Sequence, residues 1–202
     1  MPTFHRTRSS TARTIILMLA AAAPFHAAEA RRDSQEVAPP ETDLGRPGDV
    51  VRFAKPYPMG SIVIVNDERR LYYVLGGGRA IRYPIAIGTP DEIWTGRTFV
   101  QSKVKDPVWK PPWNPDEVVP GGPGNPLGER AIYLDWSLYR IHGTNAPNSI
   151  GRSASHGCFR MHNHNVKDLY ERVHIGAPVY VVDDADDPPP PRREDKPPDE
   201  KW

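Results

Sequence analysis

The sequence predicts a loop-rich, mainly β domain, and three observations carry that expectation. Proline (24) and glycine (16) break the 202 residues too often for long helices. Apolar residues in the middle of the chain alternate at period two in short runs, as half-buried strands do. Helical spacing is well marked in one stretch alone, 163–173.

Taken in order, Ile62 and Ile64, then Leu71, Tyr73 and Leu75, form two alternating runs joined at Asn66-Asp67-Glu68, the pattern of a hairpin. Gly76 to Gly78 reverses the chain into a strand at 81–87, and the loop containing Trp94-Thr95-Gly96 leads to another at 98–104. Further strands are expected at 131–134 and 138–141. Between them, repeated prolines in PVWKPPWNPDEVVPGGPGNPLGER (107–130) deny backbone donors to any sheet, so this is a long ordered loop or flap. Its Trp109 and Trp113 either line a substrate groove or cap the core. Asn163 is placed to cap a helix carrying Val166, Leu169, Tyr170 and Val173, with Gly176 as its stop and a strand at 179–182 beyond. Cys158 then sits on a turn entering the helix region, with His162 and His164 at the helix mouth in surface or capping roles.

The flanks read differently. Residues 1–30 resemble an export signal: Arg6, Arg8 and Arg13 make a positive start, 15–23 an apolar run, and Ala28-Glu29-Ala30 a cleavage site. The apolar run is far short of the roughly 20 residues a bilayer needs, so no transmembrane anchor is expected. The arginines of the start region are never adjacent, against a twin-arginine signal, and no cysteine near the cleavage site could carry lipid. A periplasmic location follows, with the mature chain starting at Arg31. Residues 31–50 read as a flexible linker, 51–183 as the folded domain, and 184–202 as a disordered, charged, proline-rich tail with too little apolar surface to order.

Charge and cysteine count exclude whole classes. Lys and Arg (26) nearly cancel Asp and Glu (25), so no basic face is implied for nucleic acid. The single cysteine, Cys158, rules out an intramolecular disulfide framework and leaves a buried, an intermolecular or a reactive thiol. A thiol becomes a useful nucleophile when an imidazole takes its proton or backbone dipoles steady the thiolate. His142 ends an apolar strand, where enzymes often place a catalytic group. Gly157 lets backbone N–H groups approach a developing oxyanion. A zinc site drawn from His142, His156, Cys158, His162 and His164 is the competing reading, but the spacings of 156/158 and 162/164 are too tight for common zinc patterns. No metal and no cofactor are expected. An inert core cysteine fits poorly with Ser155, His156 and Gly157 on the same turn.

The stretch IHGTNAPNSIGRSASHGCFRM, 141–161, resembles the signature of the L,D-transpeptidases with a YkuD-type catalytic domain, where an early His precedes a Ser-His-Gly-Cys box. Similarity continues through PGGPGNPLGERAIYL at 120–134 and VKDLYERVHIGAPVYVV at 166–182, and more loosely back to the strands near 60, covering nearly the whole domain. Arg160 stands where many members have Asn, and Phe159 where an aliphatic residue is more usual. The resemblance implies a YkuD-like β-sandwich with one or two short helices, its cysteine under a flap. It implies acyl transfer on peptidoglycan stem peptides, in which Cys158 attacks the carbonyl of the third residue of a tetrapeptide stem and expels D-alanine. An acceptor amine, or water in a carboxypeptidase, then takes the acyl group. His142 is the expected base, His156 orients or polarises the site, and the N–H groups of Gly157 and Cys158 hold the oxyanion. Arg160 serves either a substrate carboxylate or a structural ion pair, with Tyr133, Gly143, Thr144 and Ser155 at the rim. Carbapenems are expected to acylate the thiol better than penicillins do. A zinc-dependent hydrolase on the same histidines and a non-catalytic wall-binding module are the alternative function classes.

Overall fold

Period-two alternation becomes a chain of antiparallel pairings in the computed structural model, which describes residues 48–114, 116–135 and 139–190. The expected export signal, the linker before residue 48 and the tail beyond 190 lie outside the described residues. Ten strands and one α-helix are present among those described: β1 (Asp49–Arg52), β2 (Ile62–Val65), β3 (Arg70–Gly76), β4 (Arg79–Gly88), β5 (Gly96–Lys105), β6 (Arg130–Leu134), β7 (Arg140–His142), β8 (Ser153–Ser155), β9 (Phe159–Met161), α1 (Asn163–Arg172) and β10 (Pro178–Val182). Mainly β is therefore the observed class. Among the described residues no helix is long and apolar enough to cross a membrane.

The expected hairpin is β2–β3, with Ile62 opposite Tyr73 and Ile64 opposite Leu71. Hydrogen bonding runs in the order β1-β4-β3-β2-β10-β5-β6-β7-β9, and β4 also pairs with β9, so the ladder returns on itself. Strand β4 achieves this by changing partners along its length, from β1 and β3 in its first half to β9 and β8 in its second. Its first half, up to Pro84, pairs with β3, and Ile85 and Ala86 then pair with Met161 and Arg160 of β9. Pro84 falls where the partners change. A residue without an N–H is tolerated at such a break in a ladder and not in its middle.

Burial follows the closure. All four β2 residues are inaccessible: Ile62 and Ile64 join the main core with α1, while Val63 and Val65 join a second cluster under Phe53 and Tyr57. Alternate side chains of one strand thus feed two cores. Val166, Leu169, Tyr170 and Val173 turn the apolar face of α1 into the main core, as their spacing requires.

Several expectations are corrected. Asp49 and Val50, placed in the linker, belong to β1 and pair with Arg82 and Ile81. The tail expected from 184 begins with a hydrogen-bonded turn, Asp187 N–H to Asp184 O at 3.1 Å. The strand expected at 138–141 is β7, starting two residues later, and Leu138 is outside the described residues. The proline-rich flap does carry one antiparallel bridge, because Trp109 and Val119 each keep an N–H and exchange bonds of 3.0 and 2.9 Å. Buried Asn125 fixes its base, its amide donating to the carbonyls of Pro107, Val119 and Pro120. Trp109 and Trp113 meet edge to face at 5.6 Å and join neither core, so they do not cap it. His162, expected in a surface or capping role, is buried at the N-cap position of α1 with no side-chain cap bond, and stacks on His164 with ring centroids 5.4 Å apart.

Candidate active site

Two short strands bring the reactive residues together. β7 and β9 run parallel as neighbours, with Ile141 opposite Phe159 and His142 opposite Arg160. Side chains two apart on a strand share a face, so Arg140 and His142 project to the same side of the sheet as Cys158 and Arg160. Cys158 is half-buried, directly ahead of β9. Its sulfur receives a backbone hydrogen bond from Arg140. Ile141, Phe159 and Met161 face the core and hold both strands in register.

His142 is 4% exposed, and its Nδ1 lies 2.5 Å from the carbonyl oxygen of Gly143. A carbonyl only accepts, so Nδ1 carries the proton and Nε2 is left with a free lone pair. Burial pushes the imidazole down to about 3, the Gly143 carbonyl opposes the shift, and the guanidinium charges of Arg140 and Arg160 add to it. Burial likewise pushes the Cys158 thiol up, opposed by the charge and backbone of Arg140 and by Arg160. At neutral pH the resting pair is therefore a thiol and a neutral imidazole. Burial pushes Arg160 down, against the influence of Cys158.

The imidazole shift has a consequence for stability. An unfolded histidine binds a proton below about 6.5, and the folded chain refuses it until about 3. Stability from this group is thus complete above pH 6.5 and lost as pH falls toward 3, at about 1.4 kcal/mol for each tenfold change in proton affinity. Calorimetry is expected to show a steeper fall in melting temperature between pH 6.5 and 3.5 for the parent than for His142→Gln. Equal slopes would mean that His142 is protonated in the folded state.

The turn holding Cys158 is braced from three sides. Ser155 Oγ donates to the Cys158 carbonyl at 2.5 Å, so this buried serine is an internal tie and not a rim group. Trp94 Nε1 donates to the Gly157 carbonyl at 2.9 Å, and the Trp94 ring stacks on Tyr139 and tilts on Phe159. Gly157 itself has φ +91°, and an added Cβ would lie 2.5 Å from Cε1 of Tyr139. Gly157→Ala combines that clash with left-handed strain. Denaturant unfolding is expected to show a loss of about 2–4 kcal/mol, with activity falling alongside; an unchanged midpoint would mean that Tyr139 moves freely.

The other sequence candidates are distributed as follows. His156, expected to orient or polarise the site, has a side chain 85% exposed, with Nδ1 3.9 Å from Glu92 Oε1. Tyr133 reaches the site through Arg140, whose guanidinium lies 5.3 Å above its ring. Gly143 and Thr144 form the turn behind His142, and Thr144 helps line a cleft of about 380 Å³ with Pro123, Asn145, His162, Asn163 and His164. No carboxylate among the described residues pairs with Arg160, which disfavours the structural ion pair. Among the described residues no three His, Cys, Asp or Glu side chains gather closely enough to hold a metal, so the five proposed zinc ligands are not brought together.

Sequence reasoning missed Arg140, Trp94 and Tyr139. Arg140 had a readable signal, since it stands two residues before His142 on one strand and must share its face.

Comparisons with known proteins bear on the family and the fold. The family model of the L,D-transpeptidase catalytic domain, YkuD, matches residues 60–181. "Probable L,D-transpeptidase YbiS" of Escherichia coli strain K12 is 41% identical over 140 residues, covering 61% of this chain and 44% of that protein. The chain thus spans less than half the length of that relative. The solved catalytic domain of the Enterococcus faecium L,D-transpeptidase is similar with a TM-score of 0.50 at 24% identity, over 62% of this chain and 98% of that one. LD transpeptidase LdtMt1 in complex with imipenem is similar with a TM-score of 0.50 at 21% identity, over 60% of this chain and 57% of that one. At these identities the two structures speak for the fold.

Proposed function

The chain belongs to the L,D-transpeptidase family, its YkuD domain spanning residues 60–181, and on that premise we propose that it is a cysteine acyltransferase of peptidoglycan stem peptides. The observation that carries the reading is the His142 Nδ1–H bond to the Gly143 carbonyl, on the strand beside Cys158. That bond leaves Nε2 as a base on the thiol's side of the sheet.

In the first half-reaction the Cys158 proton passes to His142 Nε2 as sulfur attacks the carbonyl carbon of the third stem residue. The oxyanion is held by the N–H groups of Gly157 and Cys158, which the positive φ of Gly157 lets converge. Collapse breaks the bond to D-alanine, and the proton on His142 leaves with its amine. In the second, an acceptor amine attacks the thioester, gives a proton to His142, and sulfur departs and is reprotonated from it. Arg160, without a carboxylate partner among the described residues, receives a substrate carboxylate. Arg140 stands beside it as a second cation, and Tyr133 steadies Arg140. His156, with its ring in solvent, belongs to the substrate rim and not to proton transfer.

We place this chemistry in the periplasm, with residues 1–30 as export signal, 31–48 as linker, and the proline-rich tail as a solvated segment. The test is incubation of the mature protein with purified tetrapeptide muropeptides and separation of the products. Stem dimers establish transpeptidation, monomeric tripeptides establish a carboxypeptidase on the same site, and an unchanged profile overturns the reading.

A further inference from the structure

Behind His142, three segments distant in sequence meet with no room to spare. Gly128 ends the flap, Gly143 follows β7, and Asn163 opens α1. A Cβ on either glycine would stand 2.1 Å from Asn163 Oδ1, and Gly128 approaches Gly143 so closely that its own Cβ would lie 2.6 Å from the Gly143 backbone. Only two glycines allow this contact.

Asn163 was expected to cap α1, and it does not. The N-cap position is His162, with no side-chain cap bond. The Asn163 amide turns away from the helix and pairs with Thr144 as a second backbone would: Oδ1 accepts the Thr144 N–H at 3.2 Å and Nδ2 donates to the Thr144 carbonyl at 3.2 Å. Oδ1 also accepts the Glu129 N–H at 3.3 Å. The Thr144 N–H and the Gly143 carbonyl are the two ends of one planar peptide group. Asn163 therefore grips one end of the unit whose other end holds His142 Nδ1 at 2.5 Å. A bond accepted from the N–H also polarises the carbonyl across the plane and strengthens its hold on the imidazole.

We infer that Asn163 is a positioning residue for the base: its side-chain amide orients the Gly143–Thr144 peptide so that His142 keeps its Nδ1–H tautomer and points Nε2 at the thiol. This rests on the acyltransferase reading for its effect on rate, but the tautomer itself can be read without substrate.

The experiment uses the full mature chain with nitrogen-15-labelled histidine and follows the imidazole nitrogen shifts of His142 together with kcat and KM on muropeptides. Asn163→Ala is expected to lose the single Nδ1–H signature and to lower kcat roughly 10- to 100-fold, the scale of a misplaced catalytic group, with KM within about twofold. Val166→Ala, on the buried face of the same helix, is the control: it lowers the melting temperature while keeping the tautomer and kcat. Should Asn163→Ala fail to fold, Asn163→Ser is read in the same way, because its short hydroxyl cannot span both groups of Thr144. Retention of the Nδ1–H signature in the Asn163 variants, or an equal loss of kcat in Val166→Ala, overturns the proposal. A parent inert on muropeptides defeats the acyltransferase reading and leaves the tautomer comparison standing.

Discussion

Cys158→Ala is expected to abolish turnover on muropeptides while the far-UV spectrum and melting temperature stay close to those of the parent. The change removes a single atom from a half-buried residue and takes the sulfur acceptor from the Arg140 N–H, while the hydrogen bonds from Ser155 and Trp94 to the main-chain carbonyls of the turn stay in place. A stability cost of about 1 kcal/mol or less is expected. On the proposed function, the same thiol should open a strained lactam that reaches the oxyanion site. Intact mass after carbapenem treatment should show one covalent addition, and peptide mapping should place it in the segment containing Cys158. The alanine variant should show none. Turnover by Cys158→Ala, or an adduct elsewhere, would remove Cys158 as nucleophile even with the fold standing.

Why these residues could be read in advance, and others not, follows from where their signals lie. Alternation marked Ile62, Ile64, Leu71 and Tyr73 because one face of each strand meets a core, and the structure pairs them in that register. Strands β8 and β9 have three residues each, too few for any period to show. Strand β4 was visible as a strand, but its exchange of partners at Pro84 is set by distant β9. Cys158, His142 and Gly157 stood out by residue type, as candidates for a nucleophile, a base and a turn former, and the structure gathers them where β7 ends and β9 begins. Asn163 was misread for a local reason: an Asn at a helix start looks like a cap whether its amide turns to the helix or elsewhere. The deciding partners, Gly128 and Thr144, come from other segments. The exposure of His156 was also invisible, since its neighbours in sequence are the buried Ser155 and Gly157.

His142→Ala is expected to slow carbapenem acylation at neutral pH by roughly 100- to 10,000-fold, the usual worth of a positioned general base, and the pH dependence should show why. In the parent, the imidazole stays neutral down to about 3 and the thiol stays protonated because burial raises it. Base and nucleophile are then in the same states throughout pH 5 to 8, so the parent rate should be nearly flat there and fall only as His142 protonates toward pH 3. Without the imidazole, attack depends on the small fraction of spontaneous thiolate, and that fraction rises about tenfold for each pH unit below the thiol pKa. The variant rate should therefore climb steeply over the same range. The ratio of parent to variant is greatest in acid and shrinks as pH rises. A preformed thiolate–imidazolium pair would behave differently, since the parent would then show an acid limb near the thiol's own lowered pKa. Stopped-flow acylation at six or so pH values distinguishes the two, and parallel profiles for parent and variant would show that His142 takes no proton in the attack.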